Sequence, residues 1–164
     1  MSAGRSVLLL VLVGCAPEGV ARVGIDGWTP VEAPDDPLAS HRPERVSCPA
    51  PAVAVEDGVF EVQTGICTYL AVEQPLPREL RPRDRIVGAV WHEGLDAAEP
   101  GEAHVALWVD DVVVWEAYRP IPDAATLLEI DVEIDAPASD RIGFHLHNHG
   151  YNAWNLTALE IVPR

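Results

Sequence analysis

The sequence lacks lysine: all 11 of its basic residues are arginine, against 26 aspartate and glutamate residues, and the formal net charge over 164 residues is −15. No basic stripe offsets this charge, so a nucleic acid or an anionic lipid surface would be repelled. We therefore predict that DNA and RNA are not partners. Hydrophobic residues make up 48% of the chain, which suffices for a packed core in one domain of this length.

Long hydrophobic runs are also lacking. The run at residues 7–13 is far shorter than the roughly 20 residues that a helix needs to cross a bilayer. A positive residue, Arg5, precedes this run, and the run leads into Gly14 and Cys15. This layout is typical of a signal peptide, and an ordinary secretory signal cleaved nearby would share it.

The end of that run, Leu12-Val13-Gly14-Cys15, resembles the lipobox of bacterial lipoproteins. The resemblance implies that residues 1–14 are a lipoprotein signal peptide and that Cys15 is acylated and begins the mature chain. Two or three acyl chains anchor a protein firmly, whereas one myristoyl chain does not. Ala16 stands where an aspartate would resemble an inner-membrane retention signal, which favours the outer membrane. The membrane contact would be made by the lipid alone.

Cysteine is scarce, and once Cys15 is set aside only Cys48 and Cys67 remain. An even pair in an exported protein indicates a disulfide, because that compartment is oxidising. Closing a loop of roughly 20 residues would add about 3 kcal/mol of stability. A two-cysteine metal site is the alternative, but no histidine has ligand spacing to either cysteine.

Residues 15–47 are rich in proline and glycine and show no sustained hydrophobic period. This composition predicts an extended tether that holds the domain at residues 48–164 away from the membrane. Trp28 is the exception within it. If that indole packs back onto the domain, part of the tether is ordered.

Helical periodicity is nearly absent, and only residues 122–126 are compatible with one helical turn. From residue 53 onward apolar and polar residues alternate. Asp57-Gly58 and Asp110-Asp111 predict tight turns between strands. Eight or nine short strands predict an all-β, antiparallel two-sheet sandwich of the jelly-roll type. The predicted strands cover residues 53–56, 59–62, 66–72, 85–92, 103–109, 112–118, 128–135, 142–147 and 154–162.

Residues 144–156 form a predicted penultimate strand, a polar loop and a final strand that carries an aromatic residue. This pattern resembles the last hairpin of carbohydrate-binding modules with the galactose-binding-like fold, which implies a glycan ligand. An exposed indole suits stacking on a sugar ring, and amides suit hydroxyl groups; the alternative is that these tryptophans fill the sandwich. The candidate ligand-binding residues are Trp108, Asn148, Tyr151, Asn152 and Trp154.

Histidines cluster near the end of the chain. If Phe144 and Leu146 face the core, His145 and His147 share the opposite face about 7 Å apart, with His149 in the following loop. Three neutral imidazoles around an open position can hold zinc, so zinc or copper is the candidate cofactor. Tight-turn chemistry and a polar strand face explain the same residues without a metal. The candidate ligands are His145, His147, His149, His104 and His92.

Signals of catalysis are few. The pair His145 and His147 resembles the metal motif of cupins, but the glutamate that cupins place a few residues later is replaced by residues 151–153, Tyr-Asn-Ala. The sequence has no Gly-x-Ser-x-Gly elbow and no phosphate-binding glycine loop, although a pair of carboxylates brought together by strand pairing stays open. We therefore expect a lipid-anchored, non-catalytic binding module with a glycan as ligand. A metal-binding lipoprotein and an envelope adhesion protein that binds another protein are the alternatives.

Overall fold

A computed structural model describes residues 19–135 and 139–164 of the chain. The predicted signal peptide and the lipidation site Cys15 lie outside the described residues. Within the described residues no helix is long and apolar enough to cross a membrane.

The described residues form two antiparallel sheets, which confirms the predicted all-β sandwich. They contain three short 3-10 turns, at Ala33–Asp35, Ala39–His41 and Ala50–Ala52, and no α-helix. The twelve strands found there are β1 (Ala21–Arg22), β2 (Thr29–Pro30), β3 (Val53–Glu56), β4 (Val59–Gln63), β5 (Tyr69–Pro75), β6 (Arg85–His92), β7 (Gly101–Val109), β8 (Val112–Ile121), β9 (Thr126–Glu133), β10 (Arg141–His147), β11 (Ala153–Thr157) and β12 (Glu160–Val162).

One sheet has seven strands in the order β1-β12-β6-β11-β4-β3, with β9 also paired to β6. The other has five strands in the order β2-β5-β10-β7-β8. Strand β6 pairs with β12 at residues 85–87 and with β11 at residues 90–92. The final strand predicted at residues 154–162 is therefore two short strands that share one neighbour.

Local sequence patterns predicted the positions of most of the strands. Strand β6 has the predicted bounds, and the predicted turn between β3 and β4 has positive φ at both Asp57 (48°) and Gly58 (84°), as a type I′ turn requires. Strand β5 begins later than predicted because Ile66 and Cys67 donate backbone hydrogen bonds back to the Gln63 carbonyl and form a turn. Residues 122–126 form no helical turn.

The main core lies between the two sheets. Its largest fully buried side chains include Trp154, Phe144, Ile86 and Ile130. Cys48 and Cys67 form the predicted disulfide, with an S–S distance of 2.00 Å. The disulfide ties the start of the predicted domain to the turn that precedes β5.

Residues 19–47 run along the sandwich, although they belong to the segment predicted as a tether. Strands β1 and β2 add to the two sheets by pairing with β12 and β5. Trp28 packs back onto the core, with its ring centroid 5.8 Å from that of Phe60 and 6.3 Å from that of Phe144. Burial of apolar residues therefore orders this proline-rich stretch, and residue 48 does not mark the start of the folded unit.

Candidate functional site

Strand alternation places histidines on the outer face of the five-stranded sheet. On β10, Phe144 and Leu146 enter the main core, so His145 and His147 project from the opposite face, as predicted. Strand β7 is the neighbour of β10, and its His104 lies directly opposite His147 on the same face of the sheet. The pleat of two adjacent strands thus brings three imidazoles together.

Residues 31–42, here called the cover segment, lie on this outer face. Val31 and Leu38 form a second hydrophobic cluster with Tyr69, Ala71, Ala106 and Trp108. The Val31 N–H donates to the Ala71 carbonyl over 2.9 Å. The Tyr69 hydroxyl hydrogen-bonds to the buried carboxylate of Asp36 and lies 3.2 Å from the Leu38 carbonyl. The cover segment is therefore fixed by apolar packing and by hydrogen bonds.

The cover segment also contributes an imidazole. The His41 ring centroid lies 4.4 Å from that of His104 and 6.1 Å from that of His145, and the rings of His104 and His145 are 4.9 Å apart. On its other side His104 stacks on Tyr118, with centroids 4.2 Å apart and ring planes within 5°. The rings of His147 and His149 are 4.5 Å apart.

Burial disfavours the protonated form of three of these imidazoles, those of His145, His147 and His104. His145 is fully buried, neither of its ring nitrogens has a hydrogen-bond partner, and burial lowers its pKa to about 2. Burial and the neighbouring His149 lower the pKa of His147 to about 4. Burial also lowers the pKa of His104, against the opposing effect of Glu116, whose carboxylate lies 3.0 Å from His104 Nε2.

The structure separates the predicted metal ligands. His92 lies on β6 in the seven-stranded sheet, where its ring packs 4.5 Å from that of Trp154. His104, His145, His147 and His149 lie on the side of the five-stranded sheet. Among residues 19–135 and 139–164, no group of three or more His, Cys, Asp or Glu side chains is arranged to hold a metal ion.

A cavity of about 790 Å³ opens beside the imidazoles. Two solvent-exposed tyrosines line it: Tyr118 is 44% exposed and Tyr151 is 70% exposed. Burial and the nearby Glu116 raise the pKa of Tyr118, so its hydroxyl is protonated at neutral pH. The residues that line the cavity include His41, Glu99, Glu102, His104, Tyr118, His147, His149 and Tyr151.

Of the predicted sugar-binding residues, only Tyr151 is well exposed. Trp154 is 0% exposed in the main core. Trp108 does lie opposite the main core, as predicted, but it is 2% exposed under the cover segment. The Asn148 amide is buried and donates to the Gly150 carbonyl over 2.8 Å, and the Asn152 amide donates to the Gly94 carbonyl. Neither indole offers a face to a sugar, because each is covered by other parts of the fold.

Three residues at the site, His41, Tyr118 and Glu116, are not among those predicted from the sequence. His41 lies in the segment predicted as a tether, and its only local signal is a lone imidazole among Val31 and Leu38 in a proline-rich stretch. Tyr118 and Glu116 alternate with Ala117 on β8, a polar-face signal that was available. Their role follows only from the pairing of β8 with β7, where Tyr118 lies opposite His104.

No family model and no curated protein sequence matches this chain. Among solved structures, a CBM4 protein matches with a TM-score of 0.49 and 12% identity, over 86% of this chain and 89% of its own. The xylan-binding module CBM15 matches with a TM-score of 0.49 and 10% identity, over 87% and 95%. The family 11 carbohydrate-binding module from Clostridium thermocellum, in complex with a β-1,3-1,4-mixed-linked tetrasaccharide, matches with a TM-score of 0.45 and 12% identity, over 90% and 97%. Likenesses of this degree assign no ligand to this chain.

Proposed function

We propose that the protein is a non-catalytic β-sandwich binding module that holds a glycan in the cavity beside the imidazoles. The observation that carries this proposal is the pair of exposed tyrosines, Tyr118 and Tyr151, which line one cavity of about 790 Å³. A volume of this order accommodates a small ligand. Tyrosine rings present an apolar face and a polar tip, which matches a pyranose ring with its apolar and hydroxyl-bearing sides.

The polar lining fits hydroxyl groups. His147 is partly exposed and its pKa is lowered, so its ring is neutral and can bond to a hydroxyl, whereas His104 Nε2 already bonds to Glu116. Glu99 and Glu102 add acceptors, and none of the described arginines lines the cavity. An anionic sugar would therefore meet like charge, and the ligand class that fits best is an uncharged glycan.

A lipid anchor on Cys15 completes the proposal. The lipobox resemblance supports acylation of Cys15, and Ala16 supports the outer membrane as its destination. With the domain at the membrane surface, the glycan site would face the cell envelope or the medium. Mass spectrometry of the purified protein tests this part: loss of residues 1–14 and a mass increase of two or three acyl chains are expected.

A titration of the protein with uncharged oligosaccharides tests the glycan site. We expect binding of at least one member of a panel that includes cellohexaose and xylohexaose, and no binding of oligogalacturonate. Tyr151→Ala should weaken that binding about tenfold, because an exposed aromatic contact of this kind contributes about 1.4 kcal/mol. Val112→Ala, at a side chain that is 57% exposed on β8 and does not line the cavity, is the control and should bind normally. Equal binding by the wild type and Tyr151→Ala would contradict the cavity as the site.

Zinc or copper binding stays a second candidate because of one observation. His104, His145 and His147 each retain a buried ring nitrogen without a hydrogen-bond partner, and neutral imidazole is the form that binds metals. A metal would have to rearrange these side chains. Elemental analysis of the purified protein before and after dialysis against a chelator tests it: one equivalent of metal, lost in His145→Ala, would support this candidate, and a metal-free protein would contradict it.

A further inference from the structure

Four of the five tryptophans pack in or against a hydrophobic cluster, and Trp91 does not. Trp28 and Trp115 pack partly buried against the main core, Trp154 lies inside that core, and Trp108 lies in the second cluster. Trp91 belongs to neither cluster, and no aromatic ring of the described residues is in contact with it. A half-buried indole without such packing has a face available for a ligand.

Trp91 lies on the outer face of the seven-stranded sheet. Its neighbours on β6, Val90 and His92, are buried on the core side, so strand alternation turns the indole outward. In the next strand Leu127 stands directly opposite Trp91 and is 60% exposed. The two side chains line a shallow depression of about 330 Å³. An apolar surface is therefore open to solvent on this face.

A row of polar groups continues from the indole across the same face. Asn155 on β11 lies directly opposite Trp91 but is buried, and Glu61 on β4, directly opposite Asn155, is partly exposed. Adjacent strands are about 4.8 Å apart, so the strand that carries Glu61 lies about 10 Å from the strand that carries the indole. Gln63 hydrogen-bonds to the Glu61 carboxylate and orients it. This face therefore joins an apolar surface at Trp91 and Leu127 to the polar side chains of Glu61 and Gln63.

We propose that this face is a second glycan contact, in which a pyranose ring stacks on Trp91 and hydroxyl groups of the same glycan bond to Glu61 and Gln63. An uncharged sugar is the occupant that fits, because Glu61, Glu129 and Glu133 make this face acidic. The loop 93–100 connects Trp91 on β6 to the cavity at the start of β7. The two contacts therefore lie at the same end of the sandwich, on its opposite outer faces. The proposal rests on the proposed function only for the class of ligand.

Tryptophan emission of the full chain, titrated with cellohexaose and with xylohexaose, tests this second contact. We expect one of these sugars to shift the emission, and the shift to persist in the Tyr118→Ala/Tyr151→Ala double variant, which lacks the cavity tyrosines. Trp91→Ala should abolish the shift and weaken binding at this contact by about fivefold or more. Trp91→Phe keeps an aromatic surface and should retain binding within about threefold. Circular dichroism of each variant confirms that it is folded.

Three results would overturn the second contact. If Trp91→Ala binds both sugars as the wild type does while the double variant does not, the cavity is the sole site and the proposed function stands. If the folded wild type binds no uncharged sugar, both proposals fall together. A shift that survives Trp91→Ala would assign it to another indole and likewise overturn the proposal.

Discussion

The two outer faces of the sandwich are built from the same alternation of side chains, yet one is covered and the other is bare. On the five-stranded sheet, residues 31–42 bury Trp108 and His145. On the seven-stranded sheet, Trp91 and Leu127 stay at the surface. A strand residue that faces away from the main core can therefore still be buried. The cover segment, which lies outside the predicted strands, decides which face remains free to bind a ligand.

The largest expected effect comes from the covered face. Gly143 lies beneath Trp108, and a Cβ at this position would come within 1.8 Å of the indole carbon Cε2. Gly143→Ala should therefore lower the free energy of unfolding by about 3 kcal/mol, as overpacking of a buried site does. Urea unfolding measures it. The control is Gly94→Ala, whose added Cβ meets its nearest atom, the Asp123 carbonyl oxygen, at 3.6 Å. Equal stability of the two variants would contradict the packing of Trp108 described above.

Loosening the cover segment should have the next largest effect. Tyr69→Phe removes the hydroxyl that bonds to Asp36, which is 6% exposed, so a buried carboxylate loses one of its donors. We expect a loss of about 1–2 kcal/mol in unfolding free energy and faster proteolysis within residues 31–42. Tyr118→Phe is the matched control, because its hydroxyl is exposed. Proteolysis of Tyr69→Phe at the wild-type rate would count against the proposed attachment of the segment.

Acid should destabilise the covered face in particular. The folded state holds the pKa of His147 at about 4 and that of His145 at about 2, below the ordinary value of 6.5. Between pH 6.5 and these values the unfolded chain binds protons that the folded chain does not, so the unfolding free energy falls as the pH falls. His41 and Tyr69 adjoin the ring of His145, and Glu116 bonds to the neighbouring His104.

Urea unfolding at pH 7.5, 6.0 and 5.0 measures this dependence. In His145→Gln the decline between pH 6.0 and 5.0 should be shallower than in the wild type, because one buried titrating group is gone. An identical decline in both proteins would show that His145 does not carry the effect.

The smallest effect is expected on the bare face. Leu127→Ala removes a side chain that is 60% exposed, so the unfolding free energy should change by less than about 0.5 kcal/mol. Leu38→Ala truncates a leucine of the covered face that is 6% exposed and should cost about 2 kcal/mol. Thermal unfolding of the pair gives the contrast directly. Equal shifts would mean that the two faces are covered alike.

The fold was largely predictable, because its signals are local. Alternation located β6 to the residue, and Asp57-Gly58 specified a turn with two positive φ values. The site was only partly predictable. Strand alternation put His145 and His147 on one face, but their burial depends on His41, about one hundred residues away, and no local pattern encodes that contact. For the same reason the exposure of Trp108 was misjudged.

The indole N–H resonances of the folded protein provide the most direct test of the contrast between the faces. Each of the five tryptophans gives one such signal, and Trp91→Phe and Trp108→Phe assign the two that matter. With a soluble paramagnetic probe, and then with the uncharged sugar that binds best, we predict that the Trp91 signal broadens and shifts while the Trp108 signal does not change. A Trp108 signal that responds as strongly as that of Trp91, or a Trp91 signal that stays silent, would contradict the account.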